Sequence, residues 1–294
     1  MAVIVVSASE PRIGATTIAV GLAHRVAYAG HSVRVERLGD DDRARGDAAL
    51  FASLEFASSS GEPLAVTAIT AGGQGADSVI IAEAAAGADG VAVARAAGAV
   101  LLLVRARGAT RGDDGAARGT GVLPTIVNYA DHAGPWRVPE DRLLAAPSVG
   151  DLIDVIRASV LARSVEGDAA LCEHIVVGPI AEDSDEPHFR RFARKAVVTR
   201  SEKVDVALAA LRTDTRCLIL TGGVDPSPYL IDRVAGDRNT TLLLAPGDTV
   251  ETMRDIEHAF GSRPFSGDEK IERIGALMDT ALDDGAVSAL LGGP

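Results

Sequence analysis

The feature that most constrains the fold of this chain is the alternation of short apolar runs with segments of helical periodicity. Val3–Ser7 is a continuous apolar run, typical of a strand buried on both faces of a sheet. Thr16–Ala29 carries apolar residues at helical spacing and stops before Gly30, and Ser32–Leu38 is a second strand-like run. Strands and helices that alternate in this way predict an α/β fold with mainly parallel sheets.

Length and composition predict two domains, each with its own core. The chain has 294 residues, 47% of them hydrophobic and 24% charged, so burial can offset the entropy of ordering and disorder is excluded as the main state. The polar stretch 162–170 is typical of a linker. We therefore expect one domain over residues 1–163 and a second over residues 172–294.

Each predicted domain has its own series of elements. In the first, the pattern predicts strands at 79–82, 100–104 and 122–128, and helices at 91–97 and 152–161. It also predicts a solvated loop at 39–46 and a mobile loop at 105–121. In the second, it predicts strands at 175–177, 196–199, 217–220 and 241–245, and helices at 204–211, 229–234, 249–260 and 269–282.

Charge and hydropathy exclude several classes of function. The formal net charge is -12. A chain this acidic lacks the basic surface with which proteins bind nucleic acid or anionic membranes. The longest apolar runs fall far short of the ~20 residues of a membrane helix. The first strand follows Met1 without a basic flank, so no secretory signal is recognisable. The two cysteines do not suggest a disulfide framework. We expect a cytoplasmic protein without nucleic-acid or membrane partners.

The segment 9–17 between the first strand and the first helix has the position and part of the pattern of a phosphate-binding loop. Gly14, Thr16 and Thr17 match the end of the G-x-x-x-x-G-K-[ST] pattern, whereas Ser9 replaces the first glycine. Ala15 replaces the lysine, whose loss impairs hydrolysis far more than anion binding. Two interpretations stay open: weak binding of a nucleotide or anion, with Arg12 within reach, or a strand-loop-helix turn without a ligand.

Two further positions belong to this hypothesis. Asp77 and Glu83 flank the predicted strand 79–81, where a carboxylate could accompany Mg²⁺, although acidic residues at strand ends are commonplace. Asn128 ends another strand, and its amide could hydrogen-bond the edge of a base or simply form a turn. The candidate ligand is therefore ATP or another nucleotide with Mg²⁺.

The first ~160 residues resemble the dethiobiotin-synthetase-like P-loop domain, as found in the N-terminal regulatory region of long phosphate acetyltransferases. The resemblance rests on the Gly14 loop, the strands ending near Glu83 and Asn128, and above all residues 139–150, PEDRLLAAPSVG. The second half is similar to the DRTGG domain that follows in those proteins. Its matching segments are 217–223, 226–228, 246–252 and 269–272. Where that family tends to have Gly-Asp-Arg after its first strand, this chain has Thr199-Arg200-Ser201-Glu202-Lys203, which puts a ligand site on that turn in doubt.

The DRTGG-like half contains a second group of candidate binding residues. Gly222 and Gly223 follow a predicted strand, and Asp248 and Thr249 precede a predicted helix, so all four could line one crevice. Helix capping by Asp248 or Thr249 is the alternative. The six histidines are scattered without metal-ligand spacing.

The resemblance implies a regulatory role, because no acetyltransferase catalytic domain accompanies the two domains. The leading hypothesis is a non-catalytic regulatory or assembly protein that senses a nucleotide or phosphorylated metabolite and acts on a protein partner, such as an acyltransferase. The alternatives are an ATP-dependent ligase or ATPase with a variant loop, and a structural dimer without a ligand. Domains of this kind often self-associate, so we expect a homodimer through residues 172–294.

Overall fold

The computed structural model of the chain describes residues 2–69, 78–108, 125–178 and 188–292. Its backbone divides into two compact units, Met1–Asp141 with Pro264–Pro294, and Arg142–Arg263. Both are α/β, which confirms the predicted fold class of a mainly parallel sheet domain followed by a smaller α/β domain. Within the described ranges, no helix combines the length and the apolar character that crossing a bilayer requires.

The first unit is built on a six-stranded parallel sheet in the order β2-β3-β1-β4-β5-β6. Its strands are β1 Ala2–Ala8, β2 Ser32–Arg37, β3 Ser78–Glu83, β4 Val100–Ala106, β5 Ile126–Ala130 and β6 Arg137–Pro139. Its helices are α1 Ala15–Tyr28, α2 Ala44–Ala52, α3 Val66–Ile69, α4 Gly90–Ala97, α10 Asp268–Ala281 and α11 Asp284–Leu291. Strand β1 lies at the centre because its Ile4, Val5 and Val6 are fully buried.

The chain order of the strands creates a switch point beside β1. From β1 the chain continues to β2 on one side, whereas from β4, the neighbour of β1 on the other side, it continues to β5. Ligands of open α/β sheets bind in the crevice beyond the carboxyl ends of the strands at such a point. The loop that follows β1 is therefore in the favoured position for a ligand site.

The C-terminal helix α10 belongs to the first unit, which differs from the division expected from the sequence. Gly21 of α1 allows close packing, because a Cβ at this position would lie 2.6 Å from Ile274 Cγ1 and Met278 Cγ. Arg25 Nε donates to Leu282 O at 2.9 Å, just beyond the end of α10. The buried apolar face of α10 thus covers α1, which its own sequence segment does not reveal.

The second unit has a five-stranded sheet in the order β7-β11-β10-β9-β8, parallel except for β7. Its strands are β7 Ser159–Ala162, β8 His174–Val177, β9 Lys195–Arg200, β10 Thr215–Thr221 and β11 Thr241–Leu244. Its helices are α5 Arg142–Ala145, α6 Val149–Ile156, α7 Val204–Leu211, α8 Pro228–Asp237 and α9 Thr249–Glu257, with short 3₁₀ turns at Gly167–Ala169 and Phe189–Arg191. Two apolar clusters occupy its core.

Two sequence predictions about this region are wrong. The helix expected over 152–161 is helix α6 followed by strand β7, because the chain turns at Arg157, which has a left-handed φ of 52°. The stretch 162–170, expected to be a linker, is part of the second unit: Ser164 is buried and its N–H donates to Thr241 Oγ1 at 3.1 Å. The boundary between the units comes before α5 instead.

Candidate functional site

The loop after β1 has the backbone geometry of an anion-binding turn. Arg12 and Gly14 have left-handed φ values of 65° and 86°, and alternation of this kind turns successive N–H groups toward one point. Gly14 is the N-cap of α1 and provides no side-chain cap. The backbone N–H groups of residues 12–17 make no hydrogen bond within the described part of the chain. The positive end of α1 and its free donors therefore face the loop.

Two side chains from the end of β5 support this loop. Asn128 is buried, and its Nδ2 donates to Ile13 O at 2.8 Å. The hydroxyl of Tyr129 lies 3.5 Å from Arg12 O. Burial and, to a smaller extent, the negative charge of Glu140 raise the pKa of Tyr129. The Nδ2 group of Asn128, whose amide was predicted either to bind a base edge or to form a turn, is thus used by the loop itself. It positions the loop in this structure.

Gly14 leaves no room for a side chain. A Cβ at this position would lie 2.5 Å from Asn128 Nδ2, and its φ of 86° would strain any other residue. By contrast, Ala15 opens α1 as its first residue, where the pattern has lysine. Ser9 and Arg12 are exposed, and the N–H of Ser9 donates to Val104 O at 3.0 Å. The loop is therefore fixed by main-chain and amide contacts without a cation at position 15.

Thr16 and Glu83 meet at the edge of the sheet, as their predicted roles require. Thr16 Oγ1 donates to Glu83 Oε1 at 2.9 Å, from the first turn of α1 to the last residue of β3. The other carboxyl oxygen, Oε2, is buried without a hydrogen-bond partner among the described residues and lies 3.8 Å from Arg37 Nε. Thr17 lies beside Thr16 and is half-buried. One buried acceptor is thus left over at this edge.

Burial sets the charge of this carboxyl group. Desolvation raises the pKa of Glu83 to about 8; Arg37 and the Thr16 hydrogen bond oppose the rise, and the charge of Asp47 adds to it. Burial therefore favours the neutral form of this carboxyl group, and the charge of Arg37 favours the carboxylate. A bound cation would favour the carboxylate.

The sequence pattern did not single out Arg37, the last residue of β2. Its guanidinium is 2% exposed and pairs with Asp41 at 2.5 Å and Asp47 at 3.2 Å. The stretch 39–46, predicted as a solvated loop, is mostly exposed, but its Asp41 pairs with the buried Arg37 and α2 begins at Ala44. The only sequence signal for a buried Arg37 was its position at the end of an apolar strand, ahead of three aspartates. The same pattern also fits an arginine beside a solvated turn.

The predicted metal residues are not all described. Asp77 lies outside the described residues. Within the described ranges, no group of three or more His, Cys, Asp or Glu side chains could hold a metal ion. Mg²⁺ in nucleotide sites, however, needs only one or two protein ligands besides phosphate and water. Glu83, with its spare oxygen, and Thr16 fit that more limited role.

In the second unit, the predicted crevice residues lie together at the carboxyl ends of β10 and β11. The N–H of Gly222 donates to Gly247 O at 2.9 Å, and Thr221 Oγ1 lies 2.8 Å from Thr249 Oγ1. Gly222 and Gly223 have left-handed φ values of 93° and 63°, a region of backbone conformation that favours glycine. Here the chain is held by its own hydrogen bonds.

Asp248 caps α9. Its Oδ1 accepts the N–H groups of Val250 at 2.8 Å and Glu251 at 2.9 Å, and Glu251 Oε2 accepts the N–H of Asp248 at 3.2 Å. This reciprocal capping box accounts for Asp248 without a ligand. The hydroxyl of Thr249 has a hydrogen-bond partner in the hydroxyl of Thr221. The geometry at Asp248 is therefore that of helix capping, the alternative to a ligand role.

Comparison with known proteins identifies one domain. Residues 151–259 match the family model described as the DRTGG domain, which confirms that resemblance within the second unit. The match ends before residues 269–272, which lie in α10 of the first unit. The resemblance of the first ~160 residues to a P-loop domain, and the phosphate acetyltransferase context, stay predictions.

Among the solved structures similar to part of the chain is one of a regulatory region. It is the crystal structure of the CBS and DRTGG domains of the regulatory region of Clostridium perfringens pyrophosphatase, complexed with the activator diadenosine tetraphosphate. The two chains are 17% identical; the likeness covers 50% of this chain and 70% of the other, with a TM-score of 0.35. A likeness of this size is too weak to transfer properties of that protein.

Proposed function

We propose that this protein is a regulatory nucleotide sensor whose first unit binds a nucleoside triphosphate at the loop 9–17 without hydrolysing it. The observation that carries the proposal is the loop itself, where left-handed Arg12 and Gly14 present free N–H groups at the start of α1. Those donors and the helix dipole attract a polyphosphate. Asn128 keeps the loop in this shape.

The proposal of binding without turnover rests on position 15. A lysine there would contact the β and γ phosphates and offset the charge that develops during phosphoryl transfer. Ala15 has only a methyl group, whereas the backbone donors that hold the phosphates are kept. The affinity for the nucleotide therefore depends on the backbone of the loop. The rate of hydrolysis is low because the lysine charge that would stabilise the transition state is missing.

A magnesium ion fits beside such a ligand. Thr16 Oγ1 and the spare oxygen of Glu83 are the groups that would hold it, directly or through water. Bound Mg²⁺ would neutralise phosphate charge.

The match of residues 151–259 to the DRTGG domain supports the regulatory part of the proposal, because the resemblance associates that domain with regulation. The homodimer through residues 172–294 and an acyltransferase partner stay predictions.

The test is calorimetric titration of the full chain with Mg-ATP and Mg-GTP. Gly14→Ala should weaken binding at least about tenfold, because its Cβ would displace Asn128 from the loop. Gly30→Ala is the matched control: its φ of 94° imposes the same backbone strain, but nothing lies within 4 Å of its Cβ. Ala15→Lys should strengthen binding about tenfold by adding a charge-assisted contact.

Phosphate release decides between the sensor and the enzyme. We expect no release above background from the wild-type chain with either nucleotide. Turnover that disappears in Thr16→Ala would instead establish the ligase or ATPase alternative. Absence of binding to both nucleotides at millimolar concentration would contradict the sensor and leave the turn without a ligand.

A further inference from the structure

A buried arginine lies beside the carboxyl group at the edge of the loop site. Arg37 ends β2 and is the register partner of Glu83, the last residue of β3. Residues paired in register on neighbouring parallel strands project their side chains from the same face of the sheet. The Nε atom of Arg37 lies 3.8 Å from Glu83 Oε2, the oxygen without a hydrogen-bond partner among the described residues. The fold therefore places a positive charge beside the spare acceptor of the site.

Arg37 is held in place by groups other than Glu83. Its Nη2 donates to Asp41 Oδ2 at 2.5 Å, its Nε donates to Asp47 Oδ2 at 3.2 Å, and its Nη1 donates to Leu38 O. These bonds use all the nitrogen atoms of the guanidinium, and the residue is only 2% exposed. The rotamer freedom of this arginine is therefore lost on folding, before any ligand binds.

The distance between Arg37 and Glu83 decides what the guanidinium can do for the carboxyl group. A separation of 3.8 Å is longer than a hydrogen bond, so the attraction acts on Oε2 without using its capacity to accept. The other oxygen, Oε1, accepts the hydroxyl of Thr16 at 2.9 Å. The carboxyl group is thus held from two sides, and Oε2 remains able to accept from, or coordinate, another group.

The carboxyl groups around Arg37 outnumber the positive charge. Asp41, Asp47 and Glu83 bring three carboxyl groups to one guanidinium, and the last two residues are buried. Buried charges are stable when they are paired. A divalent cation at Glu83 Oε2 would supply the positive charge that Arg37 alone does not, and this is the place given to Mg²⁺ in the proposed function.

We propose that Arg37 is a positioning residue of the loop site, which holds the Glu83 carboxyl group beside Thr16 and so makes nucleotide binding depend on Mg²⁺. The inference rests on the proposed function, since it needs a nucleotide at the loop 9–17. Arg37 acts through Glu83, because its own nitrogen atoms are already used. Without the guanidinium, the carboxyl group would keep only its hydrogen bond to Thr16 and could turn about it.

The test compares ATP binding with Mg²⁺ and with EDTA by calorimetric titration of the full chain. We expect Mg²⁺ to tighten ATP binding to the wild-type chain about tenfold, and Arg37→Met to remove most of this gain. The affinity for ATP in EDTA should stay within about twofold in Arg37→Met, because the N–H donors of the loop are unchanged. A purely structural role of Arg37 would instead lower both affinities equally or change stability alone, and either result would overturn the proposal.

Arg34→Met is the matched control. Arg34 lies on the same strand and pairs with the buried Glu36 at 2.5 Å, so its replacement also breaks an ion pair of β2. Residues 34 and 36 project from the face of β2 opposite to Arg37, because side chains alternate along a strand. Arg34→Met should lower stability and leave the gain from Mg²⁺ unchanged. A loss of this gain as large as in Arg37→Met would overturn the proposal.

Asp41→Asn provides a second variant, which removes one anchor of Arg37 from a partly exposed position in case Arg37→Met does not fold. It should reduce the gain from Mg²⁺ about threefold. In a Glu83→Gln background, Arg37→Met should have no further effect on this gain, because both changes act on the same carboxyl group.

The outcomes separate this inference from the proposed function. An unchanged gain from Mg²⁺ in Arg37→Met and Asp41→Asn, with ATP still bound, would overturn the role of Arg37 and leave nucleotide binding at the loop intact. ATP binding to the wild-type chain that is equal with Mg²⁺ and with EDTA would have the same meaning. No ATP binding by the wild-type chain in either buffer would overturn both.

Discussion

Replacement of Gly275 by alanine tests the packing that brings α10 into the first unit. A Cβ at this position would lie 2.5 Å from both Cε1 and Nδ1 of His24 on α1. That ring cannot easily move, because it stacks on Tyr28 at 4.2 Å and meets the edge of Phe56 at 5.1 Å. The change therefore forces two packed helices apart.

The size of the effect comes from two opposing terms. Overpacking of a close contact costs about 1–3 kcal/mol, whereas alanine is favoured over glycine in a helix by about 1 kcal/mol. Gly46→Ala in α2 provides the second term alone, because nothing lies within 4 Å of its Cβ. We expect Gly275→Ala to be less stable than Gly46→Ala by about 1–3 kcal/mol.

The assay is urea unfolding followed by tryptophan fluorescence. Trp136 is the single tryptophan of the chain and lies in the first unit. Its backbone N–H donates to Ala281 O, the last residue of α10, at 2.8 Å, so its emission reports on this region. A His24→Ala background removes the ring, and in it Gly275→Ala should become neutral or stabilising.

Two results would refute this reasoning. The first is a Gly275→Ala chain as stable as Gly46→Ala, since the close contact would then carry no cost. The second is an unchanged effect of Gly275→Ala in the His24→Ala background, since the strain would then not come from the ring.

Two further predictions concern the second unit. Lys195 is buried and donates to Phe192 O and Asp214 O; burial lowers its pKa to about 8, against the charge of Asp214. At Lys195 the unfolded chain thus binds more protons than the folded chain between about pH 8 and 10.5, so this side chain should raise the free energy of unfolding with pH there by about 3 kcal/mol. Burial raises the pKa values of Cys172 and Cys217, which act in the opposite direction, so the prediction concerns the difference between the wild-type chain and Lys195→Met. Circular dichroism in urea should show that this difference increases with pH; equal slopes for the two chains would contradict it. Asp248→Ala should destabilise the second unit by about 1 kcal/mol through loss of the cap, whereas Asp232→Ala on the exposed face of α8 should not. Equal midpoints in the same assay would remove Asp248 from the capping role.

The alternation of apolar strands and amphipathic helices by itself determined the fold class and most of the elements. The segment Val204–Leu211, for example, is a helix with the predicted bounds. The loop after β1 was also visible, because glycines at a strand-to-helix turn have a local physical cause. The DRTGG domain over residues 151–259 was predicted from its resemblance to a known family. The potential of Asp248 to cap a helix was equally local.

The tertiary structure decided which elements share a core and which polar groups are left without partners. Helix α10 lies far from α1 in sequence, and contacts made only in the folded chain, such as those of Gly21 and Gly275, place it in the first unit. Likewise, Arg37 belonged to a predicted strand without an assigned role, and only folding buried it beside Asp47 and Glu83. A sequence pattern reports on neighbours within a few residues, whereas burial and desolvation depend on contacts made across the whole chain.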